Sequence, residues 1–162
     1  MSAIRAFTLL ITHCLAIAVG FAGGIYTLPI LLAPTAPSSS ALATASANAQ
    51  FTAQIRRNLE DSDALHWGEG QLYVSSDTIA FEGKMAPGPD YKLYLSPSFV
   101  ETEAQFEQLK SEMVLVGDIK SFDGFMIPIP NSISPANYTS AIVWCESFGE
   151  FITAGQYRSL EQ

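Results

Sequence analysis

Positive charge is scarce in this sequence of 162 residues, which carries 8 Lys and Arg against 16 Asp and Glu. That scarcity excludes one class of partner. Nucleic acid is held largely by cations that neutralise phosphates, and here the bases stand singly apart from Arg56-Arg57, so no nucleic-acid partner is expected. Cysteine is almost as rare. Cys14 lies in an apolar run and Cys145 near the end of an acidic region, so a disulfide between them is not expected and each thiol is either shielded or paired outside its own chain. Acid is missing from the whole N-terminal third: the first Asp or Glu is Glu60, and Arg5 is the only charged residue before position 51. From Phe51 onward the 16 acids face seven bases, the chain's 8 less Arg5, a formal charge of −9.

What fills the N-terminal third is apolar. From Ala6 to Leu32 the chain carries no charge, and at a helical rise of about 1.5 Å per residue that run is long enough to cross a hydrocarbon core of about 30 Å. A signal peptide has a shorter apolar core, of roughly 7–15 residues. The length therefore predicts a retained anchor over residues 1–32, although Ala45-Ser46-Ala47 and Ala47-Asn48-Ala49 resemble cleavage sites. Arg5 and the terminal amine bias the N-terminus toward the cytoplasm. The expected location is thus a single-pass cell (inner) membrane, with the remainder on the periplasmic or extracellular side. Ala16, Gly20 and Gly24 put small side chains on one helix face, where a second copy could pair as a homodimer. Residues 33–50, rich in Ala, Ser, Thr and Pro and uncharged, read as a linker.

Residues 51–162 form the folded part. Phe51 to Leu59 suggests a short helix from the spacing of Ile55 and Leu59. The period then becomes two. Gln71–Val74, Thr78–Phe81, Tyr91–Leu95, Met113–Val116, Phe125–Ile129, Ala141–Cys145 and Phe151–Thr153 have strand character and are punctuated by Gly, Pro, Asp and Ser. One helix interrupts them, with Thr102 and Gln105 at capping-box spacing and Phe106, Leu109 and Met113 along one face. The class is mainly β: an antiparallel sandwich or barrel-like domain with one short helix. Pro128 demotes its strand to an edge or a bulge.

The sequence resembles a known family over about Leu65 to Tyr157. The resemblance is carried by His66-Trp67-Gly68-Glu69-Gly70, by Gly88-Pro89-Asp90-Tyr91-Lys92-Leu93-Tyr94-Leu95, by the stretch from Gly117 to Pro128, and by Ala141-Ile142-Val143-Trp144-Cys145 with Phe148 and Phe151. These are similar to the electron-transfer DM-thirteen domain. The resemblance implies a compact extracytoplasmic β module with a redox role centred on Cys145 and an extracytoplasmic protein as redox partner.

Alternation places Ala141, Val143 and Cys145 on one face of their strand and Ile142 and Trp144 on the other. Cys145 thus shares a face with core-like residues, and as a buried apolar thiol it would be inert. Redox function needs a thiolate, and a single cysteine needs a partner thiol, a second chain or a cofactor. His66 and Trp144 are the candidate cofactor contacts, with the cofactor itself unknown. Among His66, Cys145, Met85, Met113 and Met126 no pair has ligand spacing, so no metal centre is expected; a copper-like site would require His66 and Cys145 to meet in space. No active-site motif surrounds either residue, so a stand-alone enzyme is not expected. The alternative is a non-catalytic binding module that presents loops such as Ala86–Asp90 and Asn131–Asn137.

Overall fold

The computed structural model describes residues 2–159. An apolar helix, α1 (Ala3–Leu32), leads into a short helix, α2 (Ser39–Ala47), and then into eight strands: β1 (Phe51–Ile55), β2 (Gly68–Val74), β3 (Thr78–Met85), β4 (Tyr91–Ser96), β5 (Val114–Ile119), β6 (Phe125–Pro128), β7 (Ser140–Cys145) and β8 (Glu150–Gln156), with α3 (Glu103–Leu109) between β4 and β5. The strands form two antiparallel sheets of four, ordered β1-β2-β3-β6 and β5-β4-β7-β8. Of the two architectures open in the sequence, this is the sandwich. Pro128 lies in β6, an edge strand paired only with β3, where its missing N–H costs no ladder hydrogen bond.

Alternation decides which residues enter the core. Leu72, Val74, Ile79, Phe81, Phe125 and Ile127 project from the first sheet onto Leu93, Leu95, Val143, Cys145 and Ile152 of the second. The opposite face of the second sheet is apolar as well. Tyr94, Ile142, Trp144 and Phe151 there form a second cluster with Phe106 of α3, Val100 and Leu59. Every residue of β7 is buried, because one side of the strand faces the other sheet and the other side faces α3.

α3 starts as its sequence suggests. Thr102 Oγ1 accepts from the Gln105 N–H at 3.2 Å, while the Gln105 side-chain oxygen accepts from the Glu101 N–H at 2.9 Å. The return bond thus falls one residue earlier than in a standard capping box.

Two expectations change. The helix expected over Phe51–Leu59 is strand β1 followed by a turn, with Phe51 opposite Val74 and Ile55 opposite Gly70. The competing period is Ala53 and Ile55, both buried, against the outward Thr52 and Gln54; β2 offers a partner ladder, and Leu59 joins the second cluster independently. Second, while residues 51–162 hold the one short α-helix expected, α3, the segment 33–50 ahead of them carries α2. Ser38 caps it by accepting from the Ala41 N–H at 3.2 Å, and its single buried side chain, Leu42, is in the part of α2 that lies on β3 and β2.

Candidate functional site

The site lies at the end of the sandwich nearest α1, and the β7–β8 hairpin builds it. Cys145 ends β7 opposite Tyr91 of β4 on one side and Glu150 of β8 on the other. The hairpin closes through a hydrogen bond from the Gly149 N–H to the Cys145 carbonyl at 2.9 Å, with Gly149 at φ 71°, a left-handed conformation that favours glycine. The Gly88-Pro89-Asp90 turn is stitched to the same hairpin. Glu146 N–H donates to the Asp90 carbonyl at 3.0 Å, and Ser147 Oγ donates to Asp90 Oδ2 at 3.0 Å. Gly88 lies so close to the Tyr91 ring that an added Cβ would meet Cε1 at 2.4 Å, which is why a side chain is excluded there.

Together these pieces enclose a cavity of about 260 Å³ whose wall includes Cys145, Tyr91, His66, Phe148, Pro89 and Glu150. His66 arrives from a loop fixed by Asp63: one carboxylate oxygen accepts from the Leu65 and His66 N–H groups at 2.6 and 2.7 Å, and His66 Nδ1 stands 3.2 Å from the same carboxylate. The backbone bond from Leu65, with that from His66 and the imidazole itself, holds the Asp63 carboxyl below its ordinary range against desolvation. An ionised carboxylate only accepts, so Nδ1 carries the proton that faces Asp63. The fold therefore brings His66 and Cys145 to one cavity, from opposite ends of the domain sequence.

Burial dominates the chemistry of the thiol. Cys145 is 3% exposed, and burial pushes its pKa up, although backbone hydrogen bonds from Phe148, Asp90 and Ser147 pull the other way. Burial likewise pushes the Tyr91 hydroxyl well above its ordinary value. Lys92 is the nearest cation along β4, but it is engaged by Asp90 at 3.0 Å and Asp118 at 2.8 Å. Asp90 is correspondingly lowered, by its hydrogen bond to Lys92 first and by Ser147, against desolvation.

Trp144, the other cofactor contact expected from sequence, is not at the cavity. It points to the far face of β7 and stacks on Phe106 with centroids 4.0 Å apart and planes 11° from parallel, while Lys110 Nζ lies 5.8 Å from its ring. Cys14 is distant as well: it precedes Tyr26 by twelve positions on α1, roughly 18 Å at helical rise. Among the described residues, no three His, Cys, Asp or Glu side chains converge as a metal-binding group. Sequence reasoning missed Tyr91, Pro89 and the α1 residues Ile25 and Tyr26 as cavity wall. The Gly88-Pro89-Asp90 motif was the available signal, since it sits in the family resemblance beside Tyr91 and exceeds what a simple chain reversal requires.

Fold and site define a class: an antiparallel β-sandwich, preceded by a helix long and apolar enough to cross a membrane, with one cysteine at the base of an end cavity. The chain belongs to the electron transfer DM13 family, whose model matches residues 58–157. That match takes in β2 to β8 and every cavity residue outside α1. No curated protein and no solved structure matches the chain.

Proposed function

We propose that this protein is a membrane-anchored extracytoplasmic redox module, whose Cys145 cavity is where an electron-carrying group or partner engages. The observation that carries the reading is the meeting of His66 and Cys145 in one cavity within a domain of the electron transfer family. An anchored position is supported by α1, which has no buried residue and a mean hydropathy of 2.0 over its most apolar window. Arg5 and the terminal amine before the apolar run support the orientation, since no other Lys or Arg lies within twenty residues of it.

Cys145 is the domain's one cysteine, so dithiol–disulfide cycling inside the domain is closed. The electron-carrying group comes from outside the fold, and the domain's part is to seat it in a largely apolar cavity with the Cys145 thiol, the His66 imidazole and the Glu150 carboxylate on its wall.

A second reading has its own observation. Full burial and a raised pKa describe an inert structural thiol, and the domain would then be a non-catalytic binding module. The two diverge in one experiment on the detergent-extracted full chain. Under the redox reading, Cys145 reacts with a small uncharged alkylating reagent while folded, about 10-fold or more slower than an exposed thiol, and Cys145→Ser changes the absorption spectrum or metal content. A thiol inert until unfolding, with no spectral difference between wild type and Cys145→Ser, would leave the binding module standing.

A further inference from the structure

α1 does more at this end of the molecule than precede the domain. Residues of its last two turns share the walls of two cavities with the Gly88–Pro89 turn. Ile25 and Tyr26 form part of the wall of the Cys145 cavity. The second cavity, of about 370 Å³, runs along Leu28, Pro29 and Leu32 and ends on Ile119 and Phe122. Ile25, Gly88 and Pro89 belong to both walls, so the two spaces are neighbours along one apolar helix.

The mouth of the Cys145 cavity is apolar too. Leu65 and Phe148, two of the large hydrophobic side chains that the folded domain exposes, at 57% and 54%, both stand on its wall. Clustered exposure of this kind marks an interaction surface, and it adjoins α1, a helix long and apolar enough to cross a membrane.

One polar side chain on this wall points to the ligand. His66 Nδ1 is turned to Asp63, which leaves Nε2 as the ring nitrogen for a ligand, an acceptor in the uncharged tautomer that keeps its proton on Nδ1. A ligand suited to this wall is apolar, carries a hydroxyl donor, and reaches the site from the bilayer.

We propose that the Cys145 cavity binds a lipid-borne quinol, with its ring among Tyr91, Phe148 and Pro89, its hydroxyl donating to His66 Nε2, and its tail along α1 toward the second cavity. The proposal deepens the redox reading of the same cavity and rests on it for biological meaning, but binding itself moves no electron.

The test is equilibrium binding of a short-tailed benzoquinol, and of its oxidised quinone, to the full chain in detergent under anaerobic conditions. Saturable binding that favours quinol by about 5-fold, the size of one net hydrogen bond, is expected. His66→Phe brings quinol down to the level of quinone, and Phe148→Ser, at an exposed position that the fold does not need, weakens both forms. Leu115→Ser, equally apolar and 46% exposed on β5, leaves binding unchanged. Non-saturable uptake, or equal binding in wild type, His66→Phe and Phe148→Ser, overturns the site as mere partitioning into the micelle. Specific binding without any Cys145-dependent redox behaviour overturns the redox reading alone; Cys145-dependent redox behaviour without quinol binding overturns the quinol site alone.

Discussion

Burial fixes what the Cys145 and Tyr91 side chains do with their protons. Both are acids whose charged forms are penalised in the folded state, and burial pushes Tyr157 up in the same way. The sign follows: stability from these groups is complete below their ordinary values, 9.0 for the thiol and 10.0 for the phenols, and is lost as pH rises toward the folded-state values. The denaturant midpoint of the full chain in detergent should hold steady from neutrality to about pH 8.5 and fall beyond it. Cys145→Ala and Tyr91→Phe should each flatten part of that decline, and an unchanged slope in both variants would show that other groups carry it. At this scale the sequence was informative about identity and face. Cys145 faces inward with Ala141 and Val143, as alternation requires. The meeting of His66 with Cys145 was not legible, because it depends on the Asp63 loop folding back across the sheet ends. Trp144 was adjacent in sequence and on the wrong face, since period two separates neighbours.

Elements were legible where one period dominated. Residues of β2, β3, β4, β7 and β8 alternate cleanly or are apolar on both faces, and the cap at Thr102 announces α3. β1 was misread because Ile55 and Leu59 satisfy helical spacing, while the register that holds Phe51–Ile55 extended belongs to β2, a partner more than a dozen residues away. α2 escaped because Ala and Ser carry little pattern; it is defined by a cap and one buried leucine. The element on which the second cluster depends most is α3, whose Phe106 is fully buried between Trp144 and Tyr94. Phe106→Ala should cost about 3–5 kcal/mol of stability and abolish the near-ultraviolet circular dichroism contributed by Trp144. The Cys145 cavity lies on the other side of β7, so the alkylation rate of the folded protein should remain within about 3-fold of wild type, in line with additivity between sites that share no partners. A large acceleration would show that the two faces of β7 are coupled.

At the scale of the whole molecule, an apolar helix and an acidic sandwich share a cavity. The sequence displayed the first two openly, as an uncharged run followed by all of the acid. The third could not be read from it, because the cavity wall combines Tyr26, His66, Tyr91 and Cys145, residues spread across most of the chain. The acidic surface has a consequence of its own: a protein that docks here by charge would carry a basic patch, and its association would weaken with salt. Under the proposed redox reading, electrons pass through the Cys145 cavity. That reading is tested most directly by a mediated potentiometric titration of the full chain extracted from its own membrane, so that any seated group is retained. The account predicts a reversible transition that is lost in Cys145→Ser and shifted in His66→Phe. No transition in wild type, or one that both variants leave unchanged, would contradict it.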